Sequence, residues 1–139
     1  MILLDSSGLL SVLDDTQRRH GEAVAAFAAA ALPRPLSPFI HAELDYLIAT
    51  RVGQAAELAL LDEVARVYRL EAFSEGDIAA ARDVIRAFPD LEVGLADASL
   101  VVLAGRYPVA EVLTLDERRF RTLRGPGGAP SRLLPADNG

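Results

Sequence analysis

Residues 95–105 read LADASLVVLAG, apolar or small throughout except for one aspartate, Asp97. A helix that is apolar almost all round belongs in the middle of a fold, not on its surface. The sequence therefore predicts a central, buried helix over 94–106, and the rest of the chain has to wrap it. It also raises a question of charge, because a carboxylate on such a helix is either a local cap or a tool.

The elements available for wrapping alternate. Ile2-Leu3-Leu4 is a short apolar run ending at Asp5, which reads as a buried strand opening the fold. Helices are expected over 8–13 and, in an alanine-rich stretch, over 20–31. Prolines 33, 35 and 38 leave room only for a short strand near Leu36. Helices follow over 39–52 and 54–66, then a strand in RVYRLEAF, 66–73. Ser74 with Asp77 three residues on forms a capping-box pattern, so a helix is expected from 75 to 88, ended by Pro89. EVLTLD, 111–116, alternates like a strand and again ends at an aspartate. A short polar helix over 117–123, a loop over 125–130 and a last short strand in SRLLP complete the reading. Strands alternating with helices imply one α/β domain over 1–139, with a mostly parallel central sheet flanked by helices and 125–139 as loop and short C-terminal segment.

Composition removes several chemistries. There is no cysteine, hence no disulfide framework, thiol nucleophile or cysteine-ligated zinc. There is no lysine either, which excludes a P-loop and a protein-kinase ATP site, although arginine-favouring base composition is reason enough for the bias. The two histidines are too few for a zinc site without cysteine. His20, next to Gly21, reads as solvated, and His41, two residues from Glu43, as structural on another helical face. No apolar run reaches the length of a membrane span, and the opening residues lack a basic leader, so a cytoplasmic protein is expected. The net charge of −6 argues mildly against nucleic acid, but a local arginine patch or a bound cation can reverse that locally.

Four carboxylates fall where solvated faces do not. Asp5 and Asp116 each follow an apolar strand, at the carboxyl end where open α/β sheets bind ligands. Glu43 sits among Ile40, Leu44, Leu47 and Ile48 on the apolar face of its helix, while Asp45 points elsewhere as an ordinary surface acid. Asp97 stands in the same relation to Val93, Leu100 and Val101. Singly, each has a local reading: Asp5 and Asp116 as N-caps, Asp97 as the cap of a late-starting helix, Glu43 as reaching past its stripe. Together, with few arginines to pair them, they point to a hard divalent cation, Mg²⁺ or Mn²⁺. Such a site suits phosphoryl transfer. Ser6 and Thr114 flank the acids as substrate or supporting contacts, or as turn and cap residues.

ILLDSSGLL, HAELDYLI, LADASLVVLAG and VLTLDERRF, in this order and spacing, resemble the PIN-domain family, in particular the toxin ribonucleases of VapBC-type toxin–antitoxin pairs. The likeness runs from residue 1 to about 124, and VLTLDERRF is its most specific piece. It implies a PIN-like three-layer fold, Mg²⁺- or Mn²⁺-dependent endoribonuclease activity, homodimerisation, and inhibition by a small antitoxin whose tail occupies the groove. Carried over, the family's acids fall on Asp5, Glu43, Asp97 and Asp116, with Asp5, Asp97 and Asp116 as metal ligands and Glu43 as ligand or orienter of the attacking water. Arg119 stands where many relatives have histidine, and Phe120 is kept as packing. The RNA surface would then rest on Arg118, Arg119 and Arg121.

Two other classes compete with a ribonuclease. A haloacid-dehalogenase-type phosphatase needs a second aspartate where this chain has Ser7, and a phosphorelay receiver needs a lysine. A non-catalytic PIN-like module binding RNA or protein would be expected to have lost at least one of the acids.

Overall fold

The computed structural model describes residues 1–107, 111–123 and 131–137, so the loop expected over 125–130 lies outside the described residues. Three parallel strands, β1 (Ile2–Leu4), β4 (Glu111–Leu113) and β5 (Arg132–Leu134), form the central sheet in the order β1-β4-β5. Leu4 pairs with Leu113, and Leu113 with Leu134, so the three strands end level. Ile2, Leu3, Leu4, Leu113 and Leu133 are all fully buried, as expected for strands covered on both faces. A second parallel pair, β2 (Pro35–Leu36) with β3 (Arg69–Leu70), lies beside β1.

The helices are α1 (Ser6–Leu13), α2 (His20–Ala29), α3 (Pro38–Arg51), α4 (Gln54–Val67), α5 (Glu75–Ala87), α6 (Leu95–Ala104) and α7 (Glu117–Thr122). α6 packs against α5, α3 and β1 through buried Ala98, Ser99, Leu100 and Leu103, but Leu95 is exposed and Val101 and Val102 are half-buried, so the helix is covered on its inner side and not all round as expected. The Ser74–Asp77 capping box is present: the Asp77 carboxylate accepts the Ser74 N–H at 2.8 Å, and the Asp77 N–H donates to Ser74 Oγ at 3.3 Å. Beyond Phe88, Pro89–Leu91 makes a single 3₁₀ turn.

Two boundaries differ from expectation for identifiable reasons. α1 begins at Ser6, directly after Asp5, because the strand hands over to the helix with no intervening loop. The strand expected over 66–73 shrinks to Arg69–Leu70, because α4 runs through Val67 and the Tyr68 N–H still bonds back to Val64. Among the described residues no helix is long and apolar enough to cross a membrane.

α1 lies very close to the sheet. A Cβ at Gly8 would sit 2.3 Å from the Leu113 carbonyl oxygen, so only glycine allows the first turn of α1 to rest on the end of β4. A buried hydroxyl pair joins the helices that carry Glu43 and Asp97. Ser99 Oγ donates to the Ala96 carbonyl at 2.6 Å, which leaves Ser37 Oγ to donate to Ser99 Oγ at 2.7 Å. Ser37 in turn accepts the Phe39 N–H at the start of α3.

Candidate active site

The strand ends place Asp5 and Thr114 side by side. The Asp5 N–H donates to the Leu113 carbonyl at 3.0 Å, extending the β1–β4 ladder by one residue. Asp5 is 4% exposed, and Oδ2 accepts from Ser7 Oγ at 2.6 Å and from Thr114 Oγ1 at 2.8 Å. With both hydroxyl protons committed to Asp5, the hydroxyl oxygens accept backbone N–H groups: Leu115 N–H to Ser7 Oγ at 3.0 Å and Asp116 N–H to Thr114 Oγ1 at 2.9 Å. Asp5 occupies the N-cap position of α1, but its side chain makes no cap bond, so the capping explanation fails there.

Burial pushes the Asp5 carboxyl up to about 6, against the pull of the Ser7 and Thr114 hydroxyls and with help from the Asp97 charge. Asp97 is likewise held above the usual carboxylate range, first by burial, and further by the charges of Glu43 and Asp116. Asp5 thus feels the charge of Asp97, and Asp97 the charges of Arg119, Glu43 and Asp116.

For Asp97 and Asp116 the local and functional readings hold at once. Asp97 lies in the first turn of α6 and accepts the Gly94 N–H at 3.3 Å; Asp116 is the N-cap of α7 and accepts the Arg119 N–H at 3.1 Å. One guanidinium meets both acids, on the same Asp97 oxygen that takes the Gly94 N–H and on the Asp116 oxygen that the cap leaves over. Arg119 Nη1 lies 2.9 Å from Asp97 Oδ2 and 3.4 Å from Asp116 Oδ2.

Glu43 corrects the sequence reading. Ile40, Leu44 and Ile48 of α3 are buried, but Glu43 is exposed on the flank of that stripe. Its carboxylate turns back to the site and accepts a hydrogen bond from Ser6 Oγ. Ser6 itself is buried, so it fixes Glu43 from the site side. Asp45 departs from expectation in the other direction: it is half-buried, and its carboxyl bonds that of Glu57, which is raised as a result. His20 is not free in solvent, because Nδ1 lies 2.7 Å from the Ser11 carbonyl oxygen. His41 stays half-buried on α3. Phe120 packs in the core as expected.

The arginines divide. Arg121 is paired with Asp137, at 2.9 and 2.6 Å. Arg119 is held by Asp97 and Asp116. Arg118 is exposed and has no acidic partner among the described residues. With Arg119, Asp116, Asp90, Leu91 and Glu92 it lines a cleft of about 190 Å³. Sequence reasoning missed Asp90, Glu92 and Ser7. Ser7 touches the site through a bond spanning 108 positions, and Glu92 is marked only by a left-handed backbone, φ 53°.

Among the described residues no three His, Asp or Glu side chains converge closely enough to hold a metal as they stand. The donor chemistry nevertheless suits a hard cation. All the candidate ligands are carboxylate oxygens, burial holds Asp5 and Asp97 above the usual carboxylate range, and the one guanidinium found among them in the described residues does not balance four acids.

The family model for the PIN domain matches residues 2–126. Ribonuclease VapC26 of Mycobacterium tuberculosis is 38% identical over 135 residues, covering 96% of this chain and all of the relative. Among solved structures, the sarcin–ricin-loop-cleaving toxin VapC20 of Mycobacterium tuberculosis superposes with a TM-score of 0.80 at 19% identity, covering 95% of this chain and 99% of the other. VapBC2 of Rickettsia felis, bound to a DNA fragment from its promoter, gives 0.64 at 14% identity over 96% and 97% of the two chains. FitAcB of Neisseria gonorrhoeae gives 0.63 at 21% identity over 96% of each. Strand-end acids, a level parallel sheet and a full-length match agree: this chain belongs to the PIN-domain family.

Proposed function

We propose that the protein is a Mg²⁺- or Mn²⁺-dependent endoribonuclease, the toxin of a VapBC-type toxin–antitoxin pair. The observation that carries this reading is the buried Asp5 at the end of β1, held by Ser7 and Thr114, beside Asp97 and Asp116 bridged by Arg119 and Glu43 turned in by Ser6. The full-length likeness to a ribonuclease and the fold shared with an RNA-cleaving toxin support it.

Asp5, Asp97 and Asp116 would hold the metal, and the carboxylate of Glu43, fixed by Ser6, would orient the attacking water. A divalent cation bound there supplies charge shielding for the scissile phosphate and lowers the pKa of a water. The remaining work belongs to the chain. Ser7 and Thr114 keep Asp5 in one rotamer, and Thr114 fixes the Asp116 backbone against it. Arg118, which has no acidic partner among the described residues, would bind a phosphate of the RNA backbone at the cleft. A phosphatase-type role for Asp5 as a nucleophile lacks its second aspartate, since that position is Ser7, whose hydroxyl is spent on Asp5.

The likeness to a toxin–antitoxin assembly supports a small antitoxin as partner, with the cleft beside Asp116 as the place its tail would enter; a homodimer and a cytoplasmic location complete the reading. Purified Asp97→Asn should lose RNA cleavage by at least about a hundredfold, beyond what changes outside the ligand set produce, with an unchanged circular dichroism spectrum. Cleavage retained by a folded mutant would remove Asp97 from the machinery.

A further inference from the structure

We infer that Arg119 is a resident counter-cation that competes with the divalent metal for Asp97 and Asp116, so that the chain's own guanidinium limits how tightly the site takes metal. This rests on the metal-site reading above and concerns the state of the site before metal arrives.

The geometry is specific. Arg119 bridges two of the acids, at 2.9 Å to Asp97 and 3.4 Å to Asp116. A guanidinium hydrogen-bonded to a carboxylate oxygen sits along a lone pair that a cation would also use. Its backbone N–H is anchored to the other oxygen of Asp116, so the side chain is delivered to the site by α7 itself. The pair is still displaceable, because the Arg119 side chain is 29% exposed and opens onto the cleft shared with Arg118. A divalent cation brings twice the charge of one guanidinium to the two carboxylates, so it can replace Arg119 there. Arg121 cannot play the same part, since it is tied to Asp137 on the far side of α7.

The test is calorimetric titration of Mn²⁺ into metal-free wild type, Arg119→Gln and Arg119→Lys. Arg119→Gln should bind Mn²⁺ about fivefold more tightly than wild type, and Arg119→Lys should stay close to wild type. A purely structural role would move affinity the other way, because loosening the site weakens metal binding. Equal or weaker binding by Arg119→Gln, with Mn²⁺ still bound by wild type, overturns the competition and leaves the metal site standing. No Mn²⁺ binding by either protein overturns both. Should Arg119→Gln not fold, Mg²⁺ titration of ¹⁵N-labelled wild type decides. The Arg119 Nε–H resonance should shift in step with metal occupancy, and one that stays fixed at saturation overturns the inference.

Discussion

Two clusters of acids and arginines at the carboxyl ends of the sheet behave in opposite ways. At the C-terminal end, Asp137 accepts two bonds from Arg121 and one from the Leu133 N–H at 2.7 Å, with Arg132 nearby, and its carboxyl is held down to about 2. At the ends of β1 and β4, Asp5 is pushed up to about 6 and Asp97 is also raised, with one arginine for four acids. The residue types are the same; the difference is burial and charge balance. The first cluster is satisfied as it stands. The second is left with surplus negative charge at one rim, which is what a site for a cation and a phosphate needs.

The largest effect that would break this contrast is at Asp5. Its folded pKa lies above its unfolded value, so its contribution to stability is present below about pH 4 and is lost as pH rises through about 6. In chelator at pH 7, Asp5→Asn should therefore stabilise the protein by up to about 3 kcal/mol, flatten that pH dependence, and abolish cleavage. Urea unfolding at about pH 3.5 and about pH 7, on either side of that window, measures it. A destabilised Asp5→Asn would mean that the site is not strained by its own charge.

Next in size is Gly8→Ala. The added methyl would lie 2.3 Å from a backbone oxygen, so α1 must move off β4, at a cost of about 2 kcal/mol. Cleavage should fall with it, because Ser6 and Ser7 ride on that turn. Wild-type melting behaviour would show that the approach is looser than it looks. The smallest effect is expected for Arg121→Ala. It should lower stability slightly above pH 4 and hardly at all near pH 2, the opposite slope to Asp5, and the loss should shrink in salt. A large, salt-independent loss would place the C-terminal cluster in the core instead of at the surface.

Much of this arrangement was legible in the chain because its signals are local. The apolar run before Asp5 marked the end of β1 and the Ser74–Asp77 spacing marked a helix start, whereas the run before Asp116 overshot, since β4 stops at Leu113 and Asp116 caps α7. What escaped was long-range. Thr114 was placed beside the acids, but nothing near Ser7 announces that its hydroxyl joins that of Thr114 on Asp5 across 107 positions of sequence. Helical periodicity placed Glu43 inward because it counts faces in steps; the side chain sits on the flank and is drawn to Ser6. Arg121 looked available for RNA because its partner, Asp137, lies near the end of the chain, beyond any helical spacing.

The contact of Gly8 with Leu113 also bears on how this chain can be recombined with its relatives. The segment 5–8 and the segment 113–116 are one fitted joint, made of a missing side chain, two serine and threonine hydroxyls and three backbone N–H groups. A chimera that takes these two segments from different parents would mismatch the joint even if every acid were retained. Crossovers placed so that both come from one parent should keep the site, whatever is exchanged in α4 or α5.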